Sequence, residues 1–196
     1  MASSINASTS GAGGVITTAD NTGTLQLQSG GTTIATISST GLALNAGNIT
    51  LPSGAAPTFS ARNNANQTLN NNTNYKVAFQ VEEFDTNNNF DNTTNYRFTP
   101  TVAGYYQINA QVLVENNSNA GTLLCQIFKN GADYKSTQST VRSGSNTTAL
   151  CSSVIYLNGS TDYVEVYVLQ ATGATATLIT NTTLSTWFNG AFVRSA

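Results

Sequence analysis

The chain has 196 residues, and only 8% of them are charged, with 7 Lys and Arg against 9 Asp and Glu and a net charge of −2. Nucleic-acid binding is not expected, because phosphate contacts need clustered cations and these are few and scattered. No apolar run approaches ~18 residues, so no membrane span is expected, and the first residues lack the basic start and apolar centre of a secretory signal.

The composition favours an all-β protein. Asn, Thr and Ser take the place of charged residues, while aromatic residues make up 9% of the chain and prolines number only three. Disordered segments are usually highly charged, rich in Pro and poor in aromatics. Thr favours strands, whereas Asn and Gly favour turns.

A change in composition divides the chain into residues 1–56 and residues 57–196. Residues 1–61 contain one charged residue, Asp20, and one aromatic residue, Phe59, whereas the remaining charges and aromatics begin at Arg62. The boundary is placed within Leu-Pro-Ser-Gly-Ala-Ala-Pro, which ends at Pro57.

The N-terminal part is predicted to be a thin β-rich arm or stalk. Residues 1–14 show no periodic apolar pattern and are expected to be extended. Short alternating runs follow, with apolar pairs at Leu25 and Leu27, Ala35 and Ile37, Leu42 and Leu44, and Ile49 and Leu51. Strands this thin need a partner surface, either sister chains or the surface on which the arm lies. A flexible Gly/Ser linker is the alternative, but linkers do not normally place apolar residues at period two.

The C-terminal part shows many short strand-like segments and no helical period. The segments span residues 75–81, 95–98, 105–114, 123–128, 149–157, 163–169, 176–179 and 186–193. Asn130-Gly131 is a strong hairpin signal, and Asn158-Gly159 is a second pair of the same kind. This pattern predicts a sandwich, jelly roll or barrel.

Alternation along two segments predicts which side chains form the core. The inward set comprises Tyr106, Ile108, Ala110, Val112 and Val114 on the long segment, and Val164, Val166 and Val168 on the Val-rich one. The opposite set comprises Tyr105, Gln107, Asn109 and Gln111, together with Tyr163, Glu165 and Tyr167. Successive strand residues point to opposite faces, so the second set must face solvent or a partner.

The residues do not favour enzymatic chemistry. The chain has no His, which excludes Ser-His-Asp and Cys-His catalysis and His-ligated metals. Cys125 and Cys151 are expected to be buried thiols, with a disulfide between neighbouring strands as the alternative. Adjacent Glu82 and Glu83 would point to opposite faces of a strand. No catalytic residue, cofactor or metal ligand is therefore assigned.

Several motifs occur in the order found in one known family. They are Phe90-Asp91, Tyr96-Arg97-Phe98-Thr99-Pro100, Val102-Ala103-Gly104-Tyr105-Tyr106, Gln126-Ile127-Phe128-Lys129-Asn130-Gly131 and Trp187-Phe188-Asn189-Gly190-Ala191-Phe192-Val193. In this order they resemble the signature of the C1q/TNF-like jelly-roll domain, and Pro57-Thr58-Phe59-Ser60-Ala61 fits its opening strand. The resemblance covers residues 57–196. Asn and Thr replace most charged loop residues, so the calcium sites of that family are not expected here.

The resemblance implies a homotrimer in which the inner sheets of three heads face one another. We therefore expect the trimer contact at Tyr105, Gln107, Asn109 and Gln111, with Tyr163 and Tyr167 also facing sister subunits. Trp187 and the tyrosines could stack on sugar rings, so Trp187 is a weak candidate for a glycan contact, although an aromatic residue buried in the fold or an interface is the commoner case.

The N-terminal stretch from Ile5 to Thr33 is similar to the N-termini of virion proteins from tailed bacteriophages, especially marine and cyanobacterial ones. This similarity implies a virion surface protein, assembled in the host cytoplasm and bound through residues 1–56 to the major capsid protein or another virion protein. A capsid decoration or cement protein is the first hypothesis. The alternatives are a tail- or head-fibre tip for host attachment through a surface glycan, a depolymerase, and a secreted C1q-like lectin.

Overall fold

The computed structural model describes residues 24–29, 31–44, 56–115, 119–180 and 185–196. The chain divides into two compact units, Met1–Thr50 and Leu51–Ala196. All regular secondary structure in the described residues is β. Among these residues, no helix is long and apolar enough to cross a membrane.

The N-terminal unit contains a three-stranded antiparallel meander. Its strands are β1 (Leu25–Ser29), β2 (Thr32–Ser38) and β3 (Gly41–Leu44), with β2 in the centre. The apolar pairs predicted at residues 25 and 27, 35 and 37, and 42 and 44 each lie on one of these strands. The run at Ile49 and Leu51 and the arm at residues 1–14 lie outside the described residues.

The larger unit, which we call the head, contains thirteen strands in its described residues. They are β4 (Thr58–Arg62), β5 (Gln67–Leu69), β6 (Tyr75–Lys76), β7 (Val81–Asp85), β8 (Phe90–Asp91), β9 (Arg97–Phe98), β10 (Gly104–Glu115), β11 (Gly121–Lys129), β12 (Ala132–Val141), β13 (Thr147–Leu157), β14 (Val164–Ala171), β15 (Ala176–Leu178) and β16 (Trp187–Arg194). Five of the predicted segments, residues 105–114, 123–128, 149–157, 163–169 and 186–193, overlap long strands, and residues 95–98 and 176–179 contain the short strands β9 and β15. Residues 75–81, in contrast, contain only β6 and the first residue of β7.

These strands form two sheets. In the first sheet the order is β5-β15-β10-β16-β4-β7, and β13 pairs with the other side of β10. In the second sheet the order is β12-β11-β14-β9-β8, and β6 also pairs with β14. At several points the chain crosses from one sheet to the other between consecutive strands, as from β10 to β11 and from β13 to β14, which is typical of a jelly roll.

One hydrophobic core lies between the two sheets and unites their inward side chains. Phe59 on β4 stacks on Phe98 on β9 at a centroid distance of 4.3 Å and lies edge-on to Phe188 at 4.9 Å. The predicted inward sets of the long and the Val-rich segments are confirmed, because every member is buried. A Cβ atom on Gly190 would lie 2.8 Å from the Phe59 ring, so this position of the core has room only for glycine.

The two Asn-Gly pairs have different roles. Asn130 and Gly131 both have positive φ, 53° and 80°, and join β11 to β12 in a two-residue hairpin, as predicted. Asn158-Gly159 does not form a hairpin, because it begins the loop from β13 to β14, which belong to different sheets. The Asn158 side-chain oxygen accepts hydrogen bonds from the backbone of Ser160, Thr161 and Asp162, which shapes that loop.

Candidate self-association face

The outward side of β10, β13 and β16 forms one continuous surface of the first sheet, which we call the β10 face. Strand register aligns its side chains in rows across the sheet. From one end of β10 to the other, the rows are Tyr156–Tyr105–Arg194, Val154–Gln107–Ala191, Ser152–Asn109–Asn189 and Leu150–Gln111–Trp187. The predicted contact set Tyr105, Gln107, Asn109 and Gln111 therefore forms the central column of this face.

A network of uncharged side chains lies at the centre of the β10 face. Gln107 Nε2 donates to Asn109 Oδ1 at 3.0 Å and to Ser152 Oγ at 2.9 Å. Ser152 Oγ donates to Asn109 Oδ1 at 2.7 Å, and Asn109 Nδ2 donates to Asn189 Oδ1 at 3.0 Å. These bonds hold the amides in fixed orientations, which leaves a pre-organised polar patch for a facing surface.

Exposed apolar and aromatic side chains flank this network. The exposed members are Tyr105, Leu150, Val154, Tyr156 and Val193, with exposed fractions between 39% and 55%. The rings of Tyr105 and Tyr156 lie 5.6 Å apart, so they form a single aromatic patch at one end of the face. Burying the exposed half of each of these side chains would contribute about 1 kcal/mol.

Three of the four rows of this face, those of Gln107, Asn109 and Gln111, carry no charge. Cations lie only at the margin, where the guanidinium carbon of Arg194 is 5.8 Å from the Tyr105 ring centre and Lys129 Nζ donates to the Tyr156 carbonyl at 2.8 Å. Lys129 is itself paired with Asp162 at 2.9 Å. Copies of an uncharged surface can meet around a symmetry axis without bringing like charges together.

Tyr163 and Tyr167 do not belong to this surface. Tyr163 directly precedes β14, and Tyr167 lies on it. Both belong to the outward side of the second sheet, which we call the β14 face. Tyr167 stacks on Phe128 at 4.1 Å, and the guanidinium carbon of Arg97 lies 4.3 Å from the Tyr163 ring centre. The predicted contact set is thus split between two outward faces on opposite sides of the core, and only its β10 part forms one surface.

The β14 face also contains a buried ion pair. The Lys76 ammonium pairs with the carboxylate of Glu165, whose side chain is 3% exposed. Lys76 Nζ lies 5.8 Å from the Tyr167 ring centre. These charged and aromatic groups therefore have partners within the same chain.

Sequence reasoning missed the contribution of β13 to the β10 face. Leu150, Val154 and Tyr156 alternate with the buried Ala149, Cys151, Ile155 and Leu157, so this strand is apolar on both sides. When a strand has apolar residues on both sides and one side is exposed, the pattern indicates that a partner covers the exposed side. Trp187 lies half-buried beside Gln111 at one end of the same face, and its role as a glycan contact stays a prediction.

Cys125 and Cys151 are free and buried, as predicted for thiols in the core. Cys125 Sγ donates to the carbonyl of Ala110 at 3.6 Å, and Cys151 Sγ to that of Lys135 at 3.5 Å. Burial raises the pKa of both thiols, which keeps them protonated and poorly reactive at neutral pH. Within the residues that the structure describes, no group of three or more His, Cys, Asp and Glu side chains could hold a metal ion.

A polar groove of about 570 Å³ lies along the loops that flank β8 and β9. Its lining includes Asn88, Asp91, Asn95 and Arg97. Backbone N–H groups of Thr94 and Thr93 and the Asn95 amide bind the Asp91 carboxylate and hold the pKa of that carboxyl well below its usual range. Asp91 therefore stabilises the loop and has little remaining capacity for a ligand.

No protein-family model matches the sequence, and no curated protein matches it either. Among solved structures, the chain is similar to the globular domain of zebrafish complement 1qA protein, with 17% identity, a TM-score of 0.49, and coverage of 71% of this chain and 99% of that chain. It is also similar to murine APRIL in its crystal structure at pH 5.0, with 12% identity, a TM-score of 0.52, and coverage of 70% and 99% of the two chains.

The likeness to murine APRIL agrees with the topology of the head, in which two antiparallel sheets enclose one core and the chain crosses between the sheets several times. The expectation of a jelly roll is confirmed. The head has a C1q/TNF-like jelly-roll fold.

Proposed function

We propose that this protein is a non-enzymatic structural module that assembles as a homotrimer through the β10 face and displays its heads on the surface of a bacteriophage particle. The observation that carries the self-association is the β10 face itself. An uncharged hydrogen-bonded network is flanked there by exposed Tyr105, Leu150, Val154 and Tyr156. Apolar surface around ordered amides is typical of an interface between copies of one chain.

The threefold symmetry follows from the resemblance of residues 57–196 to C1q-like heads. The chemistry of the β10 face supports this symmetry, because each copy supplies the same neutral amides and aromatic rings. In a closed assembly the exposed apolar patches would be covered, and no patch would be left to recruit further copies.

The location on a virion rests on the similarity of residues 5–33 to the N-termini of tailed-phage virion proteins. We propose that residues 1–56 attach the protein to the major capsid protein or to another virion protein. Capsid decoration or cement is the first form of this proposal, and a fibre tip that binds a host glycan is the second. Counting copies in intact particles separates them, since decoration needs hundreds of copies and a fibre needs few.

A matched pair of substitutions tests the β10 face. Gln107→Glu would place one carboxylate per copy at the centre of this face, whereas Gln138→Glu makes the same change at an exposed position on β12, in the second sheet. In a trimer through the β10 face, Gln107→Glu brings three carboxylates close together in a desolvated site. We expect this variant to dissociate at concentrations at which Gln138→Glu stays assembled.

Sedimentation velocity at neutral and acid pH measures that difference. Protonation of the introduced carboxylates should restore assembly of Gln107→Glu at acid pH. Equal dissociation of the two variants at neutral pH would mean that the β10 face points to solvent. Because Gln107→Glu also removes the donor to Ser152, Val154→Glu serves as a second variant: Val154 is 52% exposed, and no side-chain hydrogen bond is lost with it.

A further inference from the structure

One face of the meander β1-β2-β3 has two neighbouring rows made entirely of apolar side chains. Strand register aligns Leu25 with Ile37 and Leu42 in one row, and Leu27 with Ala35 and Leu44 in the next. We propose that this surface, which we call the Leu25 face, packs against the same face of sister chains and forms a second self-association element in addition to the β10 face.

The two faces of the meander differ sharply in polarity. On the opposite side, Gln26, Thr36 and Ala43 align across the strands, and Thr33 Oγ1 donates to Gln26 Oε1 at 3.3 Å. That side is suited to water. The Leu25 face has no polar side chain within the aligned rows, so its exposure to water is unfavourable.

Most side chains of the Leu25 face are exposed. Five of its side chains are between 39% and 61% exposed, with Leu42 the most exposed. Among the described residues of the N-terminal unit, Ala35 is the one buried hydrophobic residue. A three-stranded sheet needs a covered hydrophobic face to be stable, so this surface requires an occupant.

The charge distribution points to a second copy as that occupant. No residue between Asn21 and Ala61 carries a charge, so the meander offers no ionic group for a charged partner. The same neutrality removes repulsion between identical sheets.

This inference rests on the proposed function in one respect, which is that head association holds three copies together. Three tethered meanders then meet at a high effective concentration, so even a small apolar face can associate. The Leu25 face would in turn stabilise the trimer, because its contacts add to those of the β10 face.

Cysteine cross-linking of the full chain tests the proposal. Leu42→Cys places a thiol on the Leu25 face, and Ala43→Cys places one on the opposite side of the same strand; both positions are exposed. The native Cys125 and Cys151 are buried and do not compete for reagent. With a short bismaleimide, we expect most Leu42→Cys chains to form covalent dimers and Ala43→Cys chains to stay uncoupled. Leu25→Cys on β1 is a second variant of the same face.

The same variants in a Gln107→Glu background separate this inference from the proposed function. Efficient coupling of Leu42→Cys with a dissociated β10 face would show that the Leu25 face associates by itself. Intact trimers in which Leu42→Cys and Leu25→Cys couple no better than Ala43→Cys would overturn the inference and leave the proposed function standing. A Leu42→Cys thiol that labels quickly in the free protein and becomes protected only on particles would also overturn it, because the occupant would then be the virion.

Discussion

The β10 face and the β14 face are the outward sides of two sheets that share one core. Polar and aromatic side chains on the β14 face contact one another, whereas aromatic side chains on the β10 face are more exposed. On the β14 face, Lys76 pairs with the buried Glu165, and Tyr167 stacks on Phe128. On the β10 face, Tyr105 and Tyr156 remain 39% and 40% exposed beside an uncharged amide network.

This difference indicates which face is complete within one chain. The Lys76–Glu165 ion pair and the Tyr167–Phe128 stack are both formed within one chain. Exposed apolar groups beside ordered amides gain free energy only when another surface covers them. The comparison predicts that changes on the β14 face alter the stability of the single chain, whereas changes on the β10 face alter its association.

The largest expected effect is on the β14 face. Lys76→Met removes the cation that balances Glu165 and leaves that carboxylate buried and uncompensated. Loss of one partner of a buried pair costs about 3 to 5 kcal/mol of unfolding free energy. Denaturant titration of the head measures this loss.

Arg62→Met is the control for that titration. Arg62 pairs with Glu83 at 3.8 Å on the first sheet, and the two side chains are 27% and 40% exposed. Exposed pairs contribute about 0 to 1 kcal/mol. An equal loss of stability in both variants would show that burial of Glu165 does not set the cost.

A smaller effect is expected from tyrosine removal, and it should appear in association. Tyr156 on the β10 face and Tyr134 on β12 are similarly exposed, at 40% and 47%. Tyr156→Ser should lower the association constant about tenfold for each ~1.4 kcal/mol of binding free energy that is lost with the buried ring. Tyr134→Ser should leave the association constant unchanged. Concentration-dependent sedimentation compares the two, and equal assembly constants would place the interface elsewhere.

The smallest effect concerns pH. The Asp91 carboxyl has a pKa lowered in the folded head, mainly by the Thr94 N–H, and the unfolded value is about 3.9. A lowered folded pKa gives stability that is present above about pH 4 and is lost as the pH falls towards the folded value. Asp91→Asn should therefore be less stable than wild type at pH 7, with the difference shrinking below about pH 4. A difference that stays constant with pH would contradict this assignment.

The core was predictable from sequence because alternation is a local signal. Tyr106, Ile108 and Val112 are all 0% exposed, as the period of two on the long segment requires. The strand β12 was not predicted, since most of its side chains are exposed and lack the alternation of apolar and polar residues that marks a half-buried strand.

The candidate site was predictable only in part, for the same reason. The outward set on β10 follows from alternation, but its neighbours Leu150, Val154 and Tyr156 depend on the pairing of β10 with β13. Alternation also gave no means of telling that Tyr167 lies on the other sheet. Residues 75–81 looked like one strand, although β6 pairs with β14 and β7 pairs with β4 in the other sheet.

The mass of the full-length protein in solution tests the central claim most directly. Light scattering coupled to size-exclusion chromatography at micromolar concentration should give three times the 20.5 kDa mass of the chain, because three of the four rows of the β10 face are uncharged and its apolar groups are exposed in a single copy. A mass of 20.5 kDa that does not change with concentration would contradict the assignment of this face to self-association.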